Sequence, residues 1–187
     1  MRKKRIKIMN RGIYFVAGVY GVGKSTICQK LSEMSSIPFY SAGDLISEVN
    51  GEIYGANKVV KNKERNQDIL LAAVEHKLQS VSSIILAGHF CIFDKDLNVE
   101  LLPEYVFDQL HISKLILLEA AIEQIDNNIQ KRDTKKYSID AIKAIKNLEH
   151  IQACKVAEKL KVPFLIYEMQ FNQLDVENLL LFLTRGG

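Results

Sequence analysis

Five runs of apolar, β-branched and aromatic residues recur along the chain, separated by stretches whose apolar positions repeat at helical spacing. Ile13–Ala17, the short Ile37–Ala42, Ser83–Ala87, Lys114–Glu119 and Val162–Tyr167 are continuous rather than alternating, as strands covered on both faces are. Ile27, Leu31 and Met34 predict a helix over 26–34, and Leu45, Ile46 and Val49 one that starts near Gly43 and Asp44. Ile69, Leu70, Ala73, Val74 and Leu78 predict a helix over 64–79. Further helices are predicted over 103–110, 121–131, 138–160 and 174–183. The segment 50–62, with Gly51 and Gly55, reads as a mobile crossing, Cys91–Leu102 as irregular, and Arg132–Tyr137 as a charged break.

Buried-type strands alternating with helices predict an α/β fold of three layers, α/β/α, around a five-stranded parallel sheet. Right-handed crossovers then bring the loops after the strands to one edge, where ligands bind. With no internal repeat and no low-complexity linker, residues 1–187 read as a single domain. Within it are an N-terminal arm (1–11), acceptor-side helices (about 43–80) and a short lid (about 131–138).

The first strand runs into Gly18-Val19-Tyr20-Gly21-Val22-Gly23-Lys24-Ser25, followed by Thr26. This fits the phosphate-loop pattern G-x-x-x-x-G-K-[ST] at every fixed position, between a strand and a helix as that motif requires. Glycines let the backbone approach an anion, and successive N–H groups from Tyr20 to Thr26 point inward as a nest backed by the helix N-terminus. The pattern assigns Lys24 to the β- and γ-phosphates and the Ser25 hydroxyl to Mg²⁺. The expected ligand is a nucleoside triphosphate with Mg²⁺.

Composition narrows the setting more than the chemistry. Half the residues are apolar or nearly so and a quarter are charged, which is ordinary for a globular protein, and no apolar stretch is long enough to cross a membrane. Cys28, Cys91 and Cys154 show no metal-ligand spacing and read as reduced thiols in a cytoplasmic protein. The net charge is +3, but Arg2, Lys3, Lys4, Arg5, Lys7 and Arg11 hold six positive charges among residues 1–11 without an acid. That arm is either a contact for nucleic acid or an acidic surface, or a solvated lead-in to the first strand, and Met9 offers an alternative start within it.

A guanine-specific N-K-x-D string is missing; the nearest, Asn57-Lys58-Val59-Val60, lacks the Asp. The short chain with helical excursions on the ligand side suits a small-molecule kinase. In that setting the chain resembles the nucleoside monophosphate kinases, most of all archaeal-type adenylate kinase and related small ATP-binding proteins of the AAA-ATPase kind. The resemblance rests on the glycine loop, on Ser41-Ala42-Gly43-Asp44-Leu45, on Gly88-His89 after the third strand, on Gln130-Lys131-Arg132-Asp133, and on Tyr167–Asn172 after the last strand. It implies that Arg132 opens a lid carrying transition-state charge and that Tyr167–Asn172 wraps the adenine.

Two departures fall on the acceptor side. The arginine expected one turn after the Gly-Asp pair is Ser47, and the acid expected after the third strand is replaced by Ala87-Gly88, leaving Asp44, Glu119 or water to support the metal beside Ser25. Lys61 and Arg65 are candidates for the missing acceptor charge. Asp44 itself is a general base towards a hydroxyl acceptor, an organiser of metal water, or a helix cap. Arg132 is a transition-state cation or a helix-end charge, and His89 a ligand contact or a satisfied buried imidazole. The expected activity is transfer of the ATP γ-phosphoryl group to a nucleoside monophosphate, with Lys24, Arg132 and Asp44 as catalytic residues. The alternatives are a hydroxyl acceptor (a nucleoside, a nucleic-acid 5′ end or another metabolite) and a non-kinase ATP-binding switch or partner subunit.

Overall fold

Gly12–Ala17 forms β1 at the centre of the sheet, fully buried from Ile13 onward, and the other elements are arranged about it. In chain order they are α1 (Lys24–Ser35), β2 (Phe39–Ser41), α2 (Ala42–Asn50), α3 (Lys63–Leu78), β3 (Ser83–Ala87), β4 (Cys91–Phe93), β5 (Val99–Leu101), α4 (Glu104–Gln109), β6 (Ile112–Glu119), α5 (Ile122–Arg132), α6 (Ile139–Leu160), β7 (Phe164–Glu168) and α7 (Gln173–Thr184). The computed structural model describes residues 12–50, 63–132 and 137–185, without the side chains of Asn50, Lys63 and Arg132. The basic arm, the crossing around Gly51 and Gly55 with Lys61, and Asp133–Lys136 of the expected lid lie outside the described residues.

The sheet has the order β2-β3-β1-β6-β7 with every pairing parallel, the expected α/β architecture of five strands. Its core is the set of continuous apolar runs: Ile84–Leu86 and Leu115–Leu118 flank β1 and are buried on both faces. Two edge strands are shorter than the apolar pattern predicts. Pro38 and Pro163 have no N–H to give a ladder, and their carbonyls accept from Ile85 (2.8 Å) and Leu115 (2.9 Å) just ahead of β2 and β7.

Three sequence expectations are corrected. Met34 is exposed, and α1 buries Ile27, Cys28 and Leu31 instead. Val49 is likewise exposed at the end of α2. Cys91–Leu102 is not irregular throughout: β4 and β5 pair as an antiparallel hairpin. Its turn is closed by the Asp94 carboxylate, which accepts from the backbone of Asp96 and Asn98 at 2.8 Å each.

One polar residue anchors the far edge of the core. Lys114, buried near the start of β6, donates through Nζ to the carbonyls of Phe182 (2.9 Å), Leu183 (3.1 Å) and Arg185 at the end of α7. It thus satisfies helix-terminal carbonyls with a positive charge. No helix among the described residues is long and apolar enough to cross a membrane.

Candidate active site

The loop from Gly18 to Gly23 leaves β1 at the sheet's C-terminal edge and enters α1 at Lys24. Gly18 has φ 144° and lies so close to β6 that a Cβ would sit 2.6 Å from the Leu118 carbonyl oxygen. At Gly21, φ is 80° and a Cβ would meet the Ile125 carbonyl oxygen at 2.8 Å, so α5 presses on the loop from the other side. Asn128 of α5 donates to the Gly21 carbonyl at 2.8 Å. Val19 and Val22 are buried and act as the loop's anchors, while Ser25 and Thr26 are exposed at the first turn of α1. Lys24 curls back across the loop, its Nζ donating to the carbonyls of Gly18 (2.6 Å) and Val19 (2.9 Å). The loop thus brings the N-terminus of α1 and an ammonium group to one place, two of the elements that an anion site needs.

Two cavities open on either side of this loop. The first, about 570 Å³, is lined by Lys24, Ser25, Ser41, Asp44, Gln67 and His89, with apolar walls from Phe15, Leu70, Ile92, Val106 and Phe107. The second, about 410 Å³, lies between α5 (Asn128, Lys131) and the loop after β7 (Met169, Phe171, Asn172). Gly21, Gly23 and Thr26 border both.

The loop after β7 is held rigidly. Asp175 at the start of α7 accepts from Tyr167 Oη (3.0 Å) and the backbone N–H groups of Gln170 (3.0 Å) and Asn172 (3.2 Å), and completes a capping box with Asn172. Phe171 adopts φ 55° there, which directs its half-exposed ring onto Gly23.

Asp44 lies in the first turn of α2, exposed and on the first cavity. It is not the cap of that helix; the Ser41 hydroxyl accepts from the Asp44 N–H at 3.4 Å in that position. Ser47, at the position of the expected arginine, is buried and donates to the Gly43 carbonyl at 2.9 Å. Glu119 pairs with His150 Nδ1 (2.7 Å) and Lys146 Nζ (3.6 Å) of α6 and lines neither cavity. His89 lines the first cavity and packs on the Tyr20 ring at 4.3 Å, and Tyr20 continues through Phe93 to Tyr137. Arg132 is the last residue of α5, with its side chain outside the described residues.

Sequence reasoning missed Glu149 of α6. It is buried, and its carboxylate accepts the N–H of Gly18 at 3.1 Å from behind the phosphate loop. Burial pushes its pKa from 4.5 up to about 7, against the opposing pull of Lys24 and of the backbone N–H groups of Phe90, Cys91 and Gly18. A carboxyl that holds its proton more tightly when folded stabilises fully below its unfolded pKa, and that contribution is lost as pH rises through the folded value. The urea midpoint should therefore fall between pH 4.5 and 7 more steeply in the wild type than in Glu149→Gln. Parallel slopes would refute this. The signal was present: Glu149 lies on the buried stripe of Ile142, Ile145, Ala153 and Val156, where a charge has no business unless it is paired.

A family model described as AAA domain matches residues 17–146, a range that takes in the phosphate loop, α1, α5 and every described residue lining the first cavity except Phe15. Among solved structures, a gluconokinase from Sinorhizobium meliloti is 14% identical, with a TM-score of 0.57 over 94% of this chain and 93% of that one. A sugar kinase from a Janibacter species is 15% identical, with a TM-score of 0.59 over 93% and 94% of the two chains. A shikimate kinase from Acinetobacter baumannii in complex with shikimate is 13% identical, with a TM-score of 0.54 over 93% and 90%. These likenesses are in the fold. Among curated proteins, none matches the sequence.

Proposed function

Because this chain belongs to the AAA domain family, with an intact phosphate loop between two cavities, we propose that it is an ATP-dependent kinase of a neutral hydroxyl compound. ATP lies across the loop with its base in the second cavity, between Lys131 and Phe171, and its γ-phosphoryl group at the mouth of the first. The acceptor fills the first cavity. Its hydroxyl oxygen attacks the γ-phosphorus in line, the bond to the bridging β,γ-oxygen breaks, and Asp44 takes the hydroxyl proton. Lys24 stabilises charge on the transferred group, and Arg132, the last residue of α5, does the same. The oxygen donors Ser25 and Asp44 on one cavity wall suit Mg²⁺ held with phosphates and water, and no all-protein cluster of carboxylates, imidazoles or thiols is found among the described residues. When bound, that ion would neutralise phosphate charge.

The observation that carries this reading is the charge of the first cavity. Among its described lining residues, Lys24 is the one Lys or Arg and belongs to the loop, while Asp44 is the one acid. A nucleoside monophosphate, the acceptor implied by the adenylate kinase resemblance, asks for cations on that wall; an uncharged alcohol does not. The apolar wall and Gln67 add to it. Gln67 is 4% exposed and its Oε1 has no hydrogen-bond partner among the described residues, a cost that an acceptor N–H or O–H would relieve. The related folds of a gluconokinase and a shikimate kinase favour a hydroxyl as the attacking group; gluconate and shikimate themselves carry a carboxylate, so the neutrality of the acceptor rests on the cavity alone.

The test is ADP production with ATP–Mg²⁺ across nucleosides, sugars, sugar acids, nucleoside monophosphates and 5′-hydroxyl oligonucleotides. A rate increase with an uncharged alcohol is expected, and Asp44→Asn should lower kcat by roughly 10²–10⁴-fold while ATP still binds. A response confined to monophosphates would restore the adenylate kinase reading. A flat panel with tight ATP binding would favour a switch or partner subunit.

A further inference from the structure

Glu149 does more than back the phosphate loop. Besides Gly18, its carboxylate accepts from Phe90 N–H at 3.0 and 2.9 Å through both oxygens, and from Cys91 N–H at 2.8 Å. Phe90 and Cys91 follow Gly88 and His89, which line the first cavity. One side chain of α6 therefore joins the loop on the donor side to the segment that borders the acceptor side. A carboxylate offers two acceptor oxygens and no donor, so the charged form satisfies all three converging N–H groups, and a proton added to either oxygen loosens one of those bonds. The other titratable groups around it are few. Lys24 comes from the loop, the Cys91 thiol from β4 has its pKa pushed up by burial and by this carboxylate, and on α6 Lys146 and His150 are engaged by Glu119 of β6.

We propose that Glu149 is a positioning residue that sets the phosphate loop and the segment after β3 as one unit, and that it takes up a proton when nucleotide phosphates enter the loop. Phosphates bring negative charge to the far side of the Gly18 peptide. They also compete for Lys24, the cation that steadies the Glu149 charge. Both effects favour the protonated carboxyl, and the proton comes from the buffer. The folded carboxyl already titrates near neutrality, so a modest added field is enough to move it. This inference rests on the reading of the loop as a nucleotide site.

Calorimetric titration of the full chain with ADP–Mg²⁺, in two buffers of different ionisation enthalpy, reads the proton directly. Uptake is expected near pH 7, fading by about pH 9, absent in Glu149→Gln and retained in Glu149→Asp, which keeps the charge. Equal apparent enthalpies in both buffers for the wild type would overturn the proposal, as would uptake that survives unchanged in Glu149→Gln. If Glu149→Gln does not fold, Glu149→Asp decides, and loss of uptake in a folded Asp variant overturns it. Failure of the wild type to bind ADP at all is a different result, because it removes the nucleotide site itself.

Discussion

Lys24→Ala is expected to reduce ATP-dependent phosphorylation by roughly 10²–10³-fold, the usual effect of deleting one preorganised charge donor, in a variant that still folds and loses stability only through the buried Glu149 charge it leaves without its cation. The residue stands at the first position of α1 and is half-buried, and its ammonium reaches carbonyls of its own loop. Removing it takes away no part of the core, and the loop remains clamped by Asn128 at Gly21 and by Glu149 at Gly18. It does remove the one Lys or Arg in the described lining of the first cavity. Transfer of a phosphoryl group through a loose transition state depends on positioned positive charge, so the loss should fall on kcat as well as on ATP affinity. ADP production and a thermal melt on the same preparation check both halves. Wild-type turnover in the variant would sink the assignment of this loop as the reaction centre.

The largest effect on stability is expected far from that centre. Lys114→Met should cost about 3 kcal/mol, because it leaves buried carbonyls without their charged donor. Three carbonyls at the end of α7 share that ammonium, and the aliphatic stem passes the Phe182 ring with Nζ 5.4 Å from its centroid. Burial pushes the lysine pKa down, yet the carbonyls give its protons a full set of acceptors. Methionine keeps the length and most of the apolar contact, so the variant isolates the polar loss. In a chain of this size the melting temperature should drop by roughly 6–12 °C. A change under about 1 kcal/mol in urea unfolding would mean that water replaces the ammonium at no cost.

The sheet was readable because β1, β3 and β6 are apolar runs buried on both faces, and β7 carries a similar run although, as an edge strand, it leaves Ile166 exposed. The phosphate loop was readable because its chemistry restricts residue types at fixed spacing. The hairpin β4–β5 was not: each strand has three residues, too few to show a period, although Asp94 and Asn98 carry the composition of its turn. Glu149 and Lys114 were hidden for a different reason. Each is one polar residue within an apolar pattern, and its partners lie on other elements; Glu149 and Gly18 are 131 positions apart. Periodicity identifies which face of an element is buried, but not which distant backbone group meets the exception. Asp44 was readable as a candidate in the helix expected near Gly43, but not as part of a cavity wall, because the facing residues Gln67, Ala87 and Val106 come from α3, β3 and α4.

That separation of 131 positions has a consequence for how the protein is made. The ribosome releases β1, the glycine loop and β3 well before it has synthesised α6. Until then the N–H groups of Gly18, Phe90 and Cys91 have no internal acceptor from Glu149, and the loop lacks the strut that fixes its first peptide. Domains whose deciding contacts are distant in sequence close late. A nascent chain halted before α6 would thus expose a complete glycine motif without the shape needed to grip a nucleotide, and competence would arrive only with the last third of the polypeptide.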